Sequence, residues 1–232
     1  MDQDRRRKAL IPVSLGNDRF SSENLVNALS AIPTPYDEFT FVIANNIQLY
    51  NRARRISDPA QLGMTIAEFA NGRALFTERS KWLERVRNRV PPTVGEPVWR
   101  VLSFDDLVET GLSTVFRNVL VTYAAVKEFR HDVDVAARDY VGPRQPTLID
   151  SDLFLSRAYI LEETAASITL HVLCHVQSEY YLGAHIPAII KLYSGDYGID
   201  VFTLANAPRT ERSFDFFSYD STGNMWRLVR ST

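Results

Sequence analysis

The stretch Ala9-Leu-Ile-Pro-Val-Ser-Leu15 and the segment that follows it decide the predicted fold. These seven residues form a short apolar run that is typical of a buried strand. A turn at Gly16-Asn17-Asp18 ends the run, and the helix predicted next extends to about Ile32. Phe39–Ala44 is a second apolar, β-branched run. A strand, a helix and a strand in this order form a βαβ unit, which predicts a parallel sheet with a ligand site at the carboxyl ends of its strands.

Further helices and strands alternate along the rest of the chain. The predicted helices cover Met64–Val90, Phe104–Glu109 with Ser103 as its cap, Leu112–Tyr140, a segment that begins at a cap on Asp150 or Ser151, and Ile186–Tyr193. The remaining predicted strands cover Val98–Leu102, Gln177–Leu182 and Val201–Leu204. The pattern predicts one α/β domain at 9–207, with a mostly parallel sheet flanked by helices. We expect a basic tail at 1–8 and a C-terminal extension at 208–232, where no period is visible.

Composition and charge limit the classes of function. The chain has 232 residues, 45% apolar and 23% charged, which is typical of a globular protein. Its 26 Lys and Arg against 28 Asp and Glu give a net charge of −2, so the chain is not basic throughout. The single cysteine, Cys174, excludes an internal disulfide and a Cys-based zinc site. No uncharged run approaches the roughly 20 residues of a membrane helix, so we expect a cytoplasmic protein without a membrane partner.

Ser14 lies at the end of the first predicted strand. A serine there would project into the crevice at the sheet edge, where open α/β sheets bind ligands. It is either a nucleophile or a small polar residue that caps a turn. The glycine elbow of the α/β-hydrolases, G-x-S-x-G, is absent because Pro12 stands at its first position.

Tyr159 and Glu163 are four residues apart, which places them on one face of the predicted helix. A phenol and a carboxylate there could bind a substrate ammonium and exchange protons with it, or form a surface pair without a role. Glu162 points away from this face, so we expect it to face solvent. His171, Cys174 and His175 suggest a metal site, but their apolar flanks favour buried core histidines.

The second half of the long predicted helix carries five cations. They are Arg79, Lys81, Arg85, Arg87 and Arg89. Three of them recur at i, i+4 and i+8 and form one basic stripe. Such a stripe is either a solvated helix face or a surface that contacts a phosphate backbone.

Taken in order, these segments resemble the cyclodipeptide synthases. The resemblance begins at Val13-Ser14-Leu15-Gly16-Asn17 and continues through the Arg-rich helix. It is strongest at Tyr159-Ile-Leu-Glu-Glu163, which is similar to the Tyr-x-x-x-Glu helix motif of the family. It closes with a strand tyrosine, Tyr180 or Tyr181, shortly before Pro187, and covers roughly residues 9–205.

The resemblance implies a fold and an activity. The fold is a Rossmann-like domain similar to the catalytic domains of class I tyrosyl- and tryptophanyl-tRNA synthetases. The activity takes two aminoacyl-tRNAs and releases a cyclic dipeptide, a 2,5-diketopiperazine, with no cofactor and no ATP. The partners would be aminoacyl-tRNAs and not DNA, with the five helix cations contacting the tRNA.

The resemblance also implies roles for single residues. Ser14 would attack the first aminoacyl ester and keep the aminoacyl group, with Asn17 positioning it. Tyr159 and Glu163 would hold the bound α-amino group, and Glu163 would accept its proton. The strand tyrosine, for which we prefer Tyr181, would relay a proton during ring closure.

The amino-acid pocket departs from the family pattern. The resemblance places Pro12, Glu179, Tyr180 and Pro187 around it, and Pro12 stands where the family usually has glycine. Glu179, two residues before Tyr181, occupies a position that is often apolar in the family. A partly buried carboxylate is costly without a cation beside it, and arginine is its best partner. The chain here resembles the fungal branch that makes arginine-containing products, so we predict arginyl-tRNA as one substrate.

Other interpretations remain open from the sequence alone. Glu179 could face solvent or pair with a local arginine such as Arg157. The chain could be a non-catalytic, synthetase-like domain that binds tRNA, or a serine hydrolase that uses His131 or His185 as its base.

Overall fold

The structure is a computed structural model. It describes residues 7–13, 22–32, 36–43, 50, 58, 60–61, 64, 84, 88, 97–141, 150–181, 186–210, 213–219 and 225–231. Several predictions lie outside these residues: Ser14, Asn17, His185 and the five cations of the long helix, namely Arg79, Lys81, Arg85, Arg87 and Arg89. Of that predicted helix, the structure describes Met64, Glu84 and Asn88.

The described strands form one six-stranded sheet. The strands are β1 (Lys8–Val13), β2 (Glu38–Ile43), β3 (Val98–Ser103), β4 (Ser178–Tyr181), β5 (Phe214–Tyr219) and β6 (Met225–Ser231). Their order is β3-β2-β1-β4-β5-β6. The first five are parallel and β6 pairs antiparallel with β5. This order is that of doubly wound Rossmann sheets, so the predicted fold class is confirmed.

Helices cover both faces of the sheet. They are α1 (Ser22–Ser30), α2 (Phe104–Val108), α3 (Leu112–Ala125), α4 (Lys127–Val141), α5 (Asp150–Ile168), α6 (Pro187–Ser194) and α7 (Val201–Leu204), with a π-helical turn at Thr169–Leu173 after α5. On one face, Leu25 and Leu29 of α1 pack against Phe39 and Phe41 of β2. The other core cluster joins helices α2 to α7 to the opposite face. None of the helices in the described ranges combines the length and apolar character that a bilayer span requires.

Local side-chain caps fix two of the helix starts. The predicted cap at Ser103 is confirmed: Asp106 Oδ2 accepts from the Ser103 backbone N–H at 2.6 Å, and Ser103 Oγ accepts from the Asp106 N–H at 3.4 Å. Asp200 caps α7 in a similar way, since its Oδ1 accepts from the Phe202 N–H at 2.9 Å. The predicted cap on Asp150 or Ser151 is wrong, because α5 already begins at Asp150 and both residues lie in its first turn.

The predicted helix Leu112–Tyr140 consists of two helices. Val126 separates α3 from α4 with an extended backbone (φ −99°, ψ 106°). The break lets both helices pack against α5. The Arg130 guanidinium donates to the Ala124 carbonyl at 2.9 Å. It thereby satisfies one of the carbonyl groups that have no helical hydrogen bond at the C-terminal end of α3.

Two predictions near the C-terminus are wrong. Val201–Leu204 is a short helix rather than a strand, because Asp200 caps it and three of its four side chains reach the core. Residues 208–232 do not form an extension outside the domain. Strand β5 pairs with β4 over four residues, and Phe214 and Phe216 are fully buried against the helices. The sheet therefore continues through 225–231.

Candidate active site

Strands β1 and β4 separate at Pro12. The Gln177 N–H donates to the Lys8 carbonyl at 3.2 Å, so the even-numbered residues of β1 direct their backbone groups towards β4. The last paired residues are Leu10 and Glu179. The next β1 residue that would donate to β4 is Pro12, which has no N–H. The ladder between the two strands therefore ends there.

A cavity opens where the ladder ends. It lies at the carboxyl ends of β1 and β4, the point at which the strand order reverses, and ligands of open α/β sheets bind at such a point. The space between its walls that no atom occupies is about 510 Å³, a figure that includes open solvent at its mouth. Its described lining is Leu10, Pro12, Val42, Phe104, Glu163, Ala166, Ser167, Leu170, Glu179, Tyr181, Ile186 and Ile189. The lining is mostly apolar, with a few titratable groups.

Glu163 is one of these titratable groups. It lies on the face of α5 that also presents Ala166, Ser167 and Leu170 to the cavity, as the helical period requires. Burial, and then the nearby charge of Glu179, raise the pKa of Glu163 to about 8. Its carboxyl group is therefore mostly protonated at neutral pH and sits close to its titration point.

Tyr159 and Glu163 do not meet in the cavity. The Tyr159 ring is partly buried and stacks on Tyr140, with ring centroids 6.4 Å apart and an interplanar angle of 6°. Tyr159 is not among the described residues that line the cavity. The structure thus brings one member of the predicted pair to the site.

The expectation that Glu162 faces solvent is wrong. Its Oε2 accepts from the Tyr50 hydroxyl at 2.8 Å, and the side chain is partly buried. Burial raises the pKa of Glu162, and the nearby Asp105 adds to the rise. Burial and the hydrogen bond to Glu162 in turn raise the pKa of Tyr50 to about 12. Glu162 nevertheless points away from the cavity, as the helical spacing predicted.

Glu179 is held by partners within the protein. Its Oε2 accepts from Ser167 Oγ at 2.9 Å and lies 3.1 Å from His171 Nε2. The alternative that Glu179 pairs with Arg157 is wrong. Arg157 Nε contacts Asp134 at 2.7 Å instead.

The π-helical turn places His171 beside Glu179. The Cys174 N–H donates to the Thr169 carbonyl at 3.1 Å, one residue further than in an α-helix. His171 is fully buried, so its prediction as a core histidine is confirmed. His175, with a positive φ of 59°, is partly exposed. Within the described part of the chain, no three His, Cys, Asp or Glu side chains are grouped to hold a metal ion.

The two tyrosines of β4 face opposite sides of the sheet. Tyr181 shares the cavity face with Glu179, as the two-residue period of a strand requires. Tyr180 is buried on the other face, with its hydroxyl 2.8 Å from that of Tyr36 and its ring stacked on Phe217. The prediction that Tyr180 lines the amino-acid pocket is therefore wrong. Burial and the hydrogen bond to Tyr36 raise the pKa of Tyr180.

Two further predicted residues lie away from the cavity. Pro187 is the exposed first residue of α6, and Ile186 and Ile189 beside it line the cavity instead. His131, considered as the base of a hydrolase, is exposed on α4, which contributes no residue to the described lining.

Comparison with solved structures identifies similar folds. A cyclodipeptide synthase of Fluoribacter dumoffii is 15% identical, with a TM-score of 0.62 over 85% of this chain and 84% of the other. AlbC, a cyclodipeptide synthase of Streptomyces noursei, is 18% identical, with a TM-score of 0.58 over 89% and 90%. A Mycobacterium tuberculosis protein, described as demonstrating that cyclodipeptide synthetases are related to type I tRNA synthetases, is 16% identical, with a TM-score of 0.57 over 75% and 72%.

The sequence itself has no comparable match. No protein-family model matches it, and no curated protein does. At the identities of the structural matches, the likeness concerns the backbone architecture. The chain has the Rossmann-like fold of the cyclodipeptide synthases, with its cavity at the junction of β1 and β4.

Proposed function

We propose that the chain is a tRNA-dependent cyclodipeptide synthase, an aminoacyltransferase that joins the aminoacyl groups of two aminoacyl-tRNAs into a 2,5-diketopiperazine. One observation carries the proposal. Glu163 and Tyr181, which the sequence motifs mark independently, line the same cavity at the junction of β1 and β4. They do so in a fold of the appropriate type.

The first step would be acyl transfer to Ser14, which follows the last residue of β1 in the chain. The serine oxygen attacks the ester carbonyl of the first aminoacyl-tRNA, and the ribose oxygen of the tRNA leaves with the serine proton. One ester replaces another, so the step needs no ATP. Asn17 would position the acyl group.

The second step would be peptide bond formation with Glu163 as the base. The α-amino group of the aminoacyl-enzyme attacks the ester of the second aminoacyl-tRNA, whose ribose oxygen leaves. An α-amino group has a pKa of about 7.7–8.0. The Glu163 pKa of about 8 matches it, so proton transfer between the two is close to thermoneutral.

The third step would be ring closure with Tyr181 as the relay. The free amine of the dipeptidyl-enzyme attacks the Ser14 ester carbonyl, which forms the second amide and releases the serine oxygen. That oxygen needs a proton, and the amine loses one. A phenol on the cavity wall can pass the proton from one to the other.

For specificity, we propose arginyl-tRNA as one substrate. Pro12, Glu163 and Glu179 line one cavity, and two carboxyl groups in an apolar surrounding favour a cation. A guanidinium suits this site because it binds carboxylates in a planar, bidentate way. The basic helix cations would contact the tRNA backbone, and the cytoplasm, where aminoacyl-tRNAs occur, would be the place of the reaction.

A direct test is synthesis by the purified chain from a pool of aminoacyl-tRNAs, with mass spectrometry of the small molecules released. We expect cyclic dipeptides from the wild type, with arginine in some of them, and none from Ser14→Ala. Products made solely of uncharged residues would refute the arginyl proposal. Binding of tRNA without any product would leave a non-catalytic tRNA-binding domain. Turnover of simple esters without tRNA would indicate a hydrolase.

A further inference from the structure

Ser167 on the cavity wall and the buried His171 behind it both hold the carboxylate of Glu179. Ser167 and His171 both reach the same oxygen, Oε2, at 2.9 and 3.1 Å. The other ring nitrogen of His171, Nδ1, lies 3.0 Å from the Val176 carbonyl. A carbonyl oxygen only accepts, so Nδ1 carries a proton.

The contact between His171 and Glu179 holds a second proton. The Nε2–Oε2 hydrogen bond forms only when one of the two atoms is protonated. The pair is then an imidazolium and a carboxylate, or an imidazole and a carboxylic acid. Its net charge is zero in both cases. Glu179 therefore faces the cavity with its charge already matched by His171.

Among the described residues, the titratable groups near this pair include Glu163 and two phenols. Glu163 on α5 carries a proton for most of the time, because its pKa is about 8. Tyr193 on α6 has its hydroxyl 3.4 Å from Ser167 Oγ, and burial raises its pKa well above the usual value. Tyr181 on β4 is a further phenol. From β5, the rings of Phe214 and Phe216 pack on the His171 ring, with centroids 5.2 and 5.0 Å away.

We propose that His171 is a positioning residue that sets the cation selectivity of the cavity. It orients the Glu179 carboxylate and supplies its counter-charge. A cationic side chain therefore enters the cavity with the release of one proton. The released proton comes from Glu163, which lines the same cavity, and goes to solvent. An uncharged side chain enters without this release. The inference rests on the proposed function for the premise that the cavity receives an aminoacyl group.

The consequence is a selectivity that depends on pH. A bound cation favours the ionised form of the acidic groups beside it, so its affinity rises with pH while those groups are protonated in the free protein. The rise is at most about tenfold per pH unit for one proton. It should level off above pH 8, where Glu163 is already ionised. Neutral side chains should show no such slope.

The test uses two probes without an α-ammonium group, N-acetyl-L-argininamide and N-acetyl-L-leucinamide. Their binding to the full chain is measured by NMR titration between pH 6 and 9. We expect the arginine probe to bind several-fold more tightly for each pH unit up to 8, and the leucine probe to change by less than about twofold. Equal slopes for the two probes, or no binding of the arginine probe at any pH, would overturn the inference.

The variant His171→Gln separates a positioning role from a structural one. The glutamine amide can still donate to Glu179 but brings no proton charge, so the arginine probe should bind at least about tenfold more tightly at pH 6.5. His175→Gln, on the same segment, is the matched control and should behave as the wild type. Should His171→Gln not fold, the ¹⁵N signals of the wild-type His171 ring decide, since the arginine probe should shift them and the leucine probe should not. A His171→Gln profile equal to that of the wild type would refute the proposal.

Synthesis of cyclic dipeptides is measured in a separate assay. Proton-coupled binding in a chain that makes no cyclic dipeptide would refute the proposed function and leave the inference standing. Synthesis of cyclic dipeptides with a selectivity that does not depend on pH would refute the inference and leave the proposed function standing.

Discussion

The two faces of β4 show how one short strand can serve structure on one side and chemistry on the other. On one face, Ser178 and Tyr180 are both bound by the Tyr36 hydroxyl at 2.8 Å and are buried in the core beneath α1. On the other face, Glu179 and Tyr181 line a cavity. Both faces bury polar groups, but only the second leaves titratable groups beside space for a ligand. Because Tyr36 and α1 cover the first face, the hydroxyl groups of Ser178 and Tyr180 have a structural role.

The strongest test of the cavity face is Glu163→Gln. The amide keeps the shape but cannot accept a proton, so cyclic dipeptide formation should fall by about 10²–10⁴-fold. The aminoacyl adduct on Ser14 should still form. Product rates from purified variants with aminoacyl-tRNAs provide the measurement.

Glu162→Gln is the control for that variant. Its side chain points away from the cavity to Tyr50, and a glutamine oxygen can still accept that hydrogen bond. Synthesis should stay close to the wild-type rate. Similar losses in both variants would show that the two faces of α5 are assigned wrongly.

The second test exchanges one tyrosine on each face of β4. Tyr181→Phe removes the proposed relay, so ring closure should slow by roughly 10²-fold, the low end for a proton-transfer group. Tyr180→Phe removes a hydrogen bond to Tyr36 and should lower the free energy of unfolding by about 1 kcal/mol, with little change in rate. Denaturant melts and product assays on both variants separate the two effects. A larger rate loss for Tyr180→Phe than for Tyr181→Phe would show that the roles of the two faces of β4 are assigned wrongly.

The third test is Glu179→Leu. The leucine removes the carboxylate from the cavity and leaves the buried His171 Nε2 without this partner, which should cost about 1–3 kcal/mol of unfolding free energy. Arginine-containing products should disappear and apolar ones should increase, as measured by mass spectrometry. Continued preference for arginine would show that the specificity lies elsewhere.

A further test is the change in stability with pH. The folded-state pKa of Glu163 lies at about 8, above its ordinary 4.5, so the folded protein holds this proton more tightly than the unfolded chain. The stabilisation is fully present below pH 4.5 and is lost as the pH rises towards 8. Glu163→Gln should therefore gain melting temperature relative to the wild type between pH 5 and pH 8. The absence of a widening gap, measured against Glu162→Gln, would contradict the assigned environment.

Local sequence signals predicted the frame of the site well. The run at Ala9–Leu15 and the one at Phe39–Ala44 became β1 and β2, and Ser103 caps α2 as expected. The helical period also placed Glu163 and Glu162 on different faces of α5. These features depend on residues within a few positions of one another, which is the range over which caps and periodicity act.

The rest depends on contacts that sequence spacing does not reveal. His171, which contacts Glu179, lies in a π-helical turn at the end of α5, and the helical period of the sequence does not reveal such a turn. Val201–Leu204 is too short for its hydrophobic period to distinguish a helix from a strand. The cap that Asp200 provides favours the helix. Phe214 and Phe216 alternate as in a strand, but the polar residues around them obscure this pattern in the sequence.

The proposed acyl transfer from tRNA to Ser14, the residue that follows β1 in the sequence, is the step on which the two later steps depend. The most direct measurement is the intact mass of Glu163→Gln after incubation with a pool of aminoacyl-tRNAs, followed by peptide mapping. We expect a mass gain of one aminoacyl group on the peptide that contains Ser14, and no gain in the Ser14→Ala, Glu163→Gln double variant. An unmodified protein, or an adduct that persists without Ser14, would contradict the account.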